Sequence, residues 1–369
     1  MGWRYIAERR NGDGTATFLN LDVPLREPQI VCGLSGPGSL RGTISPEIQQ
    51  LKDDTGRPLF EKWSTCIWAE ADGQIRGGGI MDESTFENDS WTIGCVGFSG
   101  YLKGLPYTDA RYWIDADPMD LTREIWKHAQ GQTRGNLGVV LDSTKSPVRI
   151  GTQLRQGQYD SVNGPSTYQV GPYKLNWYTN FDLGKEVDDL AKLAPFDYRE
   201  RAYWDGDDIA LRLELGYPTL GRRRDDLRFV VGENVFTVPG VDTNADYANE
   251  VYSLGAGDGS TRKRGRAVRD DGRLRRVTIL DDKSLTKQQL VDKAASDRLA
   301  DLLDFDTITQ LVVLNHPHAR IGSWEEGDEI LVQSAAGWRD VAVWCRIVST
   351  TYSPESGDAA TLALLRSED

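Results

Sequence analysis

The sequence has few of the residues that build most active sites. Among its 369 residues there are three histidines and four cysteines, and the cysteines form no C-x-x-C pair: Cys32, Cys66, Cys95 and Cys345. They stand in apolar segments, which is typical of buried, reduced thiols. The G-x-S-x-G motif of serine hydrolases is also missing, and no amphipathic helix follows Ser99 in CVGFSGYL. These absences argue against a cysteine or serine nucleophile.

Long hydrophobic runs are absent as well. No stretch approaches the roughly 18 to 20 apolar residues that a helix needs to span a bilayer. The first residues, MGWRYIAERRNGDG, lack the apolar block of a signal peptide. We therefore expect synthesis in a cytoplasm and no stable insertion into a membrane. The net charge of −13 argues against a dedicated duplex-binding protein, because phosphate contacts supply most non-specific affinity, and an acidic surface would let DNA pass without adhering.

The few candidate ligands are poorly arranged in the sequence. His316 and His318 flank Pro317 and could face the same way, as zinc ligands do, but no third ligand stands at a suitable spacing, so an exposed turn is favoured. His128 is interpreted as a polar residue on the flank of a helix. The acidic segment 205–208, DGDD, has only the beginning of a calcium loop. We expect no catalytic residue, no metal and no cofactor.

Strand periodicity dominates both ends of the chain. Residues 63–98, WSTCIWAEADGQIRGGGIMDESTFENDSWTIGCVGF, divide into three strands with turns at Asp72-Gly73 and Asn88-Asp89-Ser90, which predicts an antiparallel meander. A second meander is predicted over 327–365, with turns at Ala336-Gly337 and at 354–357. Its inward residues are Ile330, Val332, Val341, Val343, Cys345, Leu362 and Leu364.

The three glycines of RGGG lie inside the first meander. No helix and no lysine follow them, so Gly77, Gly78 and Gly79 do not form a phosphate-binding loop. Glycine inside a strand usually marks a bulge, a bend or the close approach of another backbone.

Three helices are predicted between the meanders. The first begins at Asp117-Pro118 and ends at Gly131, and the third begins with a possible capping box from Thr286 to Gln289. The predicted buried stripes are Leu121, Ile125, Trp126 and Ala129 in the first helix, Val187, Leu190, Ala191 and Ala194 in the second, and Leu290, Ala294, Leu299 and Leu302 in the third. These helices should pack on strands at 208–217 and 227–238 as an α+β layer.

Two further features have alternative interpretations. The segment 255–276 is rich in glycine and carries eight lysines and arginines. It is predicted to be a loop that could grip a phosphate backbone, but an exposed hairpin arm, whose charges are solvated or face an acidic partner surface, is favoured. The sequence contains eleven tryptophans, which would suit a sugar-binding site but more often fill barrels and interfaces.

Several longer segments resemble one family in order along almost the whole chain. They are FLNLDVPLREPQIVCGLSGPGSLRGTISPEI, GRPLFEKWSTCIWAEADGQIRGGGIM, DADPMDLTREIWKHAQ, FDYRERAYWDGDDIALRLELGYPTLGRRRDDLRFVVGENV, TKQQLVDKAASDRLADLL and EEGDEILV. Together they resemble the minor tail proteins of siphophages that infect actinobacteria, of the tail-tip or baseplate hub family.

The resemblance implies a fold and an assembly. The fold is α+β and β-dominated, with two tube-like antiparallel β-barrel domains and an α+β domain. The barrels would span 1–112 and 200–235 with 311–369, and the α+β domain 113–199 with 236–310. Three subunits with two barrels each would supply six similar positions, which match a sixfold ring on one side and pass threefold symmetry to the other.

The implied function is structural. The chain would be a homotrimeric hub in the virion tail tip, assembled in the host cytoplasm, with the distal tail protein ring, the tape measure protein and tip or fibre proteins as partners. DNA would pass through its channel without specific binding. Gly77, Gly78 and Gly79 would provide a kink or a subunit contact. A cell-wall glycan hydrolase and a carbohydrate-binding tail protein are the alternatives.

Overall fold

A computed structural model of the chain describes residues 2–87, 89–161, 164–236, 241–243, 247–257, 259–283, 285, 288–302, 306–334 and 341–367. In chain order its regular elements are β1 (Trp3–Arg10), β2 (Ala16–Asn20), β3 (Arg26–Gly33), β4 (Ser39–Ile44), β5 (Thr65–Ala71), β6 (Gln74–Glu87), β7 (Ser90–Val96), β8 (Ala110–Trp113), α1 (Pro118–Gln130), β9 (Val139–Leu141), β10 (Arg155–Ser161), β11 (Gly164–Val170), β12 (Tyr173–Asn176), α2 (Leu183–Leu193), β13 (Asp197–Asp205), β14 (Asp208–Gly216), β15 (Phe229–Val230), β16 (Val241–Thr243), β17 (Glu250–Leu254), β18 (Arg264–Val268), β19 (Val277–Asp281), α3 (Gln288–Asp301), β20 (Asp306–Ile308), β21 (Gln310–Leu314), β22 (Glu329–Ser334), β23 (Val341–Tyr352) and β24 (Ala359–Arg366). The predicted class, α+β with strands dominant, is confirmed.

The chain divides into two compact units. Unit 1 comprises Met1–Thr152, Pro172–Pro239 and Thr309–Asp369, and unit 2 comprises Gln153–Gly171 and Gly240–Ile308. The division into two barrels and an α+β domain at the boundaries given above stays a prediction.

One sheet of unit 1 contains both predicted meanders. Its strand order is β15-β22-β23-β3-β4-β7-β6-β5-β1-β2, and β24 joins β23 to β21. Strands β5, β6 and β7 pair antiparallel in sequence order, as do β22, β23 and β24. Both meanders are therefore confirmed, except that the turns at Asn88 and at Ala336-Gly337 include residues outside the described ones. Within the described residues the pairing does not return from β2 to β15.

The long strand β23 connects the two ends of the chain. Along one edge it pairs first with β22 and then, through Ser349–Tyr352, with Ile30–Gly33 of β3. Along its other edge it pairs with β24, and the register shifts between Ile347 and Ser349. A shift of this kind marks a bulge, which bends a strand and increases its twist.

The first two helices pack in the main core of unit 1. Asp117 caps α1 by accepting a hydrogen bond from the backbone N–H of Met119 at 3.0 Å, and the predicted stripe of α1 is buried throughout. Val187 and Leu190 of α2 are buried beside it. The strand predicted at 208–217 is β14, whereas only Phe229–Val230 of the second predicted strand is extended in the sheet.

Unit 2 contains a three-stranded sheet, β18-β17-β19, with α3 packed on one face. Two predictions were wrong in part here. The segment 255–276 is not all loop, because Arg264–Val268 forms β18 and pairs antiparallel with β17. In α3, Leu299 and Leu302 are buried as predicted, whereas Leu290 is 45% exposed and Val291 and Ala295 are buried instead. The reason is the close approach of the sheet: a Cβ on Gly265 would lie 2.6 Å from the carbonyl oxygen of Val291. Thr286 lies outside the described residues.

Candidate functional site

The three glycines of β6 are packed inside unit 1. A Cβ on Gly77 would lie 2.6 Å from Cγ2 of Ile30, and a Cβ on Gly79 would lie 2.8 Å from the backbone nitrogen of Gly97. Gly78 has a φ of +130°, and a Cβ there would meet the carbonyl oxygen of Ile67. No larger residue fits at any of the three positions without displacing neighbouring atoms.

The glycines also lie beside a bulge. Ala69 of β5 pairs with Gly77, whereas Glu70 pairs with Ile75, so Arg76 is an extra residue on β6. The bulge directs Arg76 against Gly322, where a Cβ would collide with its guanidinium. The expected bulge and close approach are thus both present, and the approach is to strands of the same chain. The predicted contact of Gly77, Gly78 and Gly79 with another subunit stays a prediction.

A cavity of about 500 Å³ lies beside this bulge. Strands β3, β5, β6 and β13 and the segment 322–326 line it, and its side chains include Cys32, Trp68, Arg76, Glu200 and Tyr352. It combines several titratable groups, so its chemistry bears on whether this surface could be catalytic.

The titratable groups of the cavity are held in unreactive states. Burial raises the pKa of the Cys32 thiol well above its ordinary value, and the thiol donates a hydrogen bond to the carbonyl oxygen of Arg76 at 2.8 Å. Burial likewise raises the pKa of the Tyr352 hydroxyl. The nearby guanidinium groups of Arg76 and Arg199 act in the opposite direction, but burial outweighs them, so the thiol is not activated as a nucleophile.

The Glu200 side chain is bonded to backbone N–H groups of two loops. Burial raises the pKa of this carboxyl, and its bonds to Ser99 and Gly38 act in the opposite direction. The carboxylate accepts hydrogen bonds from the backbone N–H groups of Gly38, at 3.1 Å, and of Ser99. No histidine is among the described residues that line the cavity, and Ser99 does not line it either, so no serine–histidine pair is found there. The Glu200 carboxylate holds two loops in place.

Four charged side chains form a network at one side of the cavity. Arg199 Nη2 lies 2.7 Å from Glu214 Oε2 and 2.8 Å from Glu325 Oε2. Arg201 Nε lies 2.8 Å from Glu214 Oε1, and Arg201 Nη2 lies 2.6 Å from Glu325 Oε1. Burial alone would raise the pKa of Glu325, but the two guanidinium groups outweigh it and lower that pKa. Each carboxylate thus bridges both arginines.

The same strand makes further ties to the C-terminal part of the chain. Arg199 Nη1 donates to the carbonyl oxygen of Glu326 at 2.8 Å, and Asp197 forms an ion pair with Arg346 of β23. Beside them, Arg224 Nη1 lies 2.9 Å from Asp328 Oδ2, and both side chains are almost fully buried. We call Asp197, Arg199, Glu200 and Arg201 the β13 seam, because they join β13 to loops next to β3, β7 and β22 and to β23.

The structure brings together two histidines and an acid that are far apart in sequence. His316 and His318 occupy a turn, as predicted, and Glu233 lies next to them on another turn. The ligand atoms of the three side chains lie within 4.8 Å of one another. Glu233 was not predicted as a ligand, because it is more than eighty residues from the histidines along the chain. His128 lies elsewhere, stacked on Tyr107, with centroids 4.1 Å apart.

The remaining sequence candidates are structural. The acidic segment at 205–208 is the hairpin turn between β13 and β14, in which Asp205 pairs with Asp208. In unit 2, Glu250 accepts hydrogen bonds from Arg275 and, at 2.7 Å, from Arg266, so part of the basic segment is paired within the chain. Among the described tryptophans, Trp68 and Trp91 are buried, whereas Trp177 is exposed.

In the part of the chain that the structure describes, none of the helices has both the length and the apolar character that crossing a membrane requires.

No family profile and no curated protein matches this chain, but solved structures do. The 43 kDa tail protein of prophage MuSo2 from Shewanella oneidensis is 11% identical, with a TM-score of 0.58 over 98% of this chain and 97% of that one. The tail protein from Neisseria meningitidis MC58 is 12% identical, with a TM-score of 0.52 over 99% and 96%. A chain of a PdpA–VgrG complex is 10% identical, with a TM-score of 0.54 over 100% of this chain and 66% of that one. The chain therefore has a fold that phage tail proteins also have.

Proposed function

We propose that this chain is a structural protein of a phage tail, located in the virion. The observation that carries the proposal is the match to a prophage tail protein over 98% of this chain and 97% of that one. Because each chain covers nearly all of the other, the likeness concerns a whole architecture. At 11% identity the role is inferred from this architecture together with the chemistry of the chain.

Within the tail we propose the tip hub. In this proposal the chain is a homotrimer, and each subunit supplies two curved regions of sheet, so that the trimer presents six similar positions to the distal tail ring and three to the tip proteins. The two meanders, β5–β7 and β22–β24, which belong to one large sheet, are the elements that would form these regions. The net charge of −13 suits a channel that DNA and the tape measure protein pass without adhering.

The β13 seam supports a mechanical role. Its charged groups connect loops and strands from both ends of the chain through hydrogen bonds that are mostly shielded from water. A buried ion pair contributes little net stability compared with apolar packing, but breaking it is costly and its geometry is specific. Such a network is suited to fixing the relative positions of strands under load.

We propose no enzymatic activity for the chain. In the cavity described above, the Cys32 thiol and the Glu200 carboxylate are bonded to backbone groups and Glu325 is paired with arginines, so none of these groups is paired as nucleophile and base. In the assembly, Gly77, Gly78 and Gly79 would act by shaping β6, and a direct contact of this segment with a neighbouring subunit is a further part of the proposal.

Light scattering on the purified chain tests the trimer. A mass three times that of one chain is expected over a wide concentration range. If the free chain is a monomer, mixing it with a preassembled distal tail ring should produce rings carrying three copies, visible by electron microscopy. A chain that stays monomeric and does not bind the ring would contradict the proposed hub.

Carbohydrate binding remains a second candidate because of one exposed aromatic pair. Trp177 and Tyr178 are 62% and 57% exposed, with ring centroids 5.4 Å apart. Exposed aromatic faces suit sugar rings as well as protein interfaces. Binding to host-wall glycans on an array, lost in Trp177→Ala and retained in Trp63→Ala, would favour this function. Trp63 is a matched control because it is also exposed, at 57%.

A further inference from the structure

Two short turns of unit 1 bring three potential metal ligands together. One turn, at 316–319, carries His316 and His318, and the other, at 230–235, carries Glu233. The three ligand atoms lie within 4.8 Å of one another. Among the described residues this is the one group of three such side chains at that spacing.

The histidine turn is held by its own backbone. His316 and Ala319 exchange backbone hydrogen bonds of 3.4 and 3.0 Å, and Pro317 restricts the chain between the histidines. The backbone N–H of His318 donates to Nδ1 of His316 at 3.3 Å. In this arrangement the neutral ring carries its proton on Nε2, so a metal bond at Nε2 requires the other tautomer and the loss of this long hydrogen bond. The two rings lie 4.8 Å apart at 73°, and the histidine positions are therefore largely set before any ligand binds.

The turn of Glu233 is equally well supported. The Asn234 side chain accepts a hydrogen bond from the backbone of Val230 at 2.9 Å and donates one to the carbonyl oxygen of Arg228 at 2.7 Å. Glu233 Oε1 lies 2.6 Å from Nδ1 of His318. Arg228 is the nearest cation, with Nη2 3.9 Å from Glu233 Oε2, and leaves the other carboxylate oxygen facing the histidines.

We propose that Glu233, His316 and His318 bind a divalent transition-metal ion of the zinc class. Two imidazoles and one carboxylate are a ligand set that zinc accepts, with bonds of about 2.0 to 2.2 Å. Tetrahedral ligands at that bond length are about 3.3 Å apart. Small side-chain rotations at this exposed site would bring the three ligand atoms, now within 4.8 Å of one another, to that distance. The entering ion replaces the proton shared by His318 and Glu233, and water fills the fourth position.

The bound ion would join the 230–235 turn to the 316–319 turn. The inference does not depend on the proposed place in a tail, since it rests on three side chains of one subunit. Without a metal, the same contact is an ordinary hydrogen bond between His318 and Glu233, and the experiment has to distinguish these two cases.

Zinc binding by the full chain, purified without a polyhistidine tag, is the direct test. Equilibrium dialysis against micromolar zinc, followed by elemental analysis, should give one zinc per chain. The substitutions His316→Ala and His318→Ala should each weaken binding at least tenfold, because losing an outer partner alone typically costs about 10- to 100-fold. His128→Gln removes the remaining histidine of the chain and should bind zinc like the wild type.

Two further measurements complete the test. Glu233→Gln should weaken zinc binding while circular dichroism stays unchanged, since Glu233 and His318 are surface residues. Co²⁺ in place of zinc should give the intense visible absorption of a four-coordinate site, which His318→Ala abolishes. Absence of zinc in the wild type, or full binding in both histidine variants, would overturn the proposal.

Discussion

Replacing Gly78 by alanine should destabilise unit 1 by about 3 to 4 kcal/mol. The φ of +130° is one that side chains rarely adopt, at a cost of order 1 to 3 kcal/mol. The new methyl group would also lie 2.8 Å from Cα of Trp68 and closer still to the carbonyl oxygen of Ile67. Overpacking of this kind typically costs about 1 to 3 kcal/mol, and these backbone atoms cannot rotate away. The reduced entropy of the unfolded chain returns about 0.4 to 1 kcal/mol.

Two other glycines separate these contributions. Gly56 has a φ of +82° with nothing near its missing Cβ, and Gly36 has open space and an ordinary φ. Gly56→Ala should therefore cost about 1 kcal/mol from the backbone alone, and Gly36→Ala should be neutral or slightly stabilising.

Urea-induced unfolding, followed by circular dichroism, measures all three variants. The expected order of the midpoints is Gly36→Ala highest, then Gly56→Ala, then Gly78→Ala. Equal losses of stability in Gly56→Ala and Gly78→Ala would refute the argument that the backbone approaches Gly78 too closely for a methyl group. Unchanged stability of Gly78→Ala would refute the position of the bulge. Because Gly78 is internal, assembly defects of larger substitutions there cannot be assigned to a subunit contact unless stability is measured first.

Three further predictions concern charge and packing. Arg199→Met should lower the free energy of unfolding in urea by about 3 kcal/mol, because it removes a buried guanidinium from the largely buried Glu214 and from the carbonyl oxygen of Glu326. Arg57→Met, at an exposed pair, should lower it by under about 1 kcal/mol, and similar losses in the two variants would contradict the importance of the seam. Hydrogen bonds from Arg275 and nearby residues lower the pKa of Glu250 from 4.5 to about 2. The contribution of Glu250 to the free energy of unfolding is therefore present above pH 4.5 and lost toward pH 2. Glu250→Gln should flatten the dependence of stability on pH in that window, and an unchanged slope would show that the arginine pairing is absent in solution. In α3, Val291→Ala should lower the free energy of unfolding by about 1 to 2 kcal/mol and Leu290→Ala by under about 0.5 kcal/mol, as measured by thermal unfolding. The reason is that Val291 is fully buried and Leu290 is 45% exposed. The reverse order would show that Leu290 is the buried residue, as the sequence predicts.

Local signals were read correctly from the sequence. The alternation of Trp91, Ile93 and Cys95 is short-range, and all three side chains are buried in β7. The start of α1 was predictable because a capping aspartate and a proline act within one turn.

Long-range relations were not predictable in the same way. No residue next to Val291 in the sequence indicates that Gly265 lets a strand approach α3 so closely. The sequence therefore predicted Leu290 as the core residue, although Val291 is the buried one. Only the structure shows that Glu233 contacts His318. Acidic residues in turns are common, and the local sequence does not indicate which distant residue they contact. The pairing of β3 with β23 likewise had no local signature.

That last pairing has a consequence for how the chain is made. Ile30–Gly33 leave the ribosome early, while their partners Ser349–Tyr352 are more than three hundred residues behind. Throughout that interval the outer edge of β3 has unpaired N–H and C=O groups, which are a template for pairing with other chains. Nascent copies on one message are therefore prone to join edge to edge, and a holding chaperone or slow synthesis at low temperature should raise the yield of soluble protein.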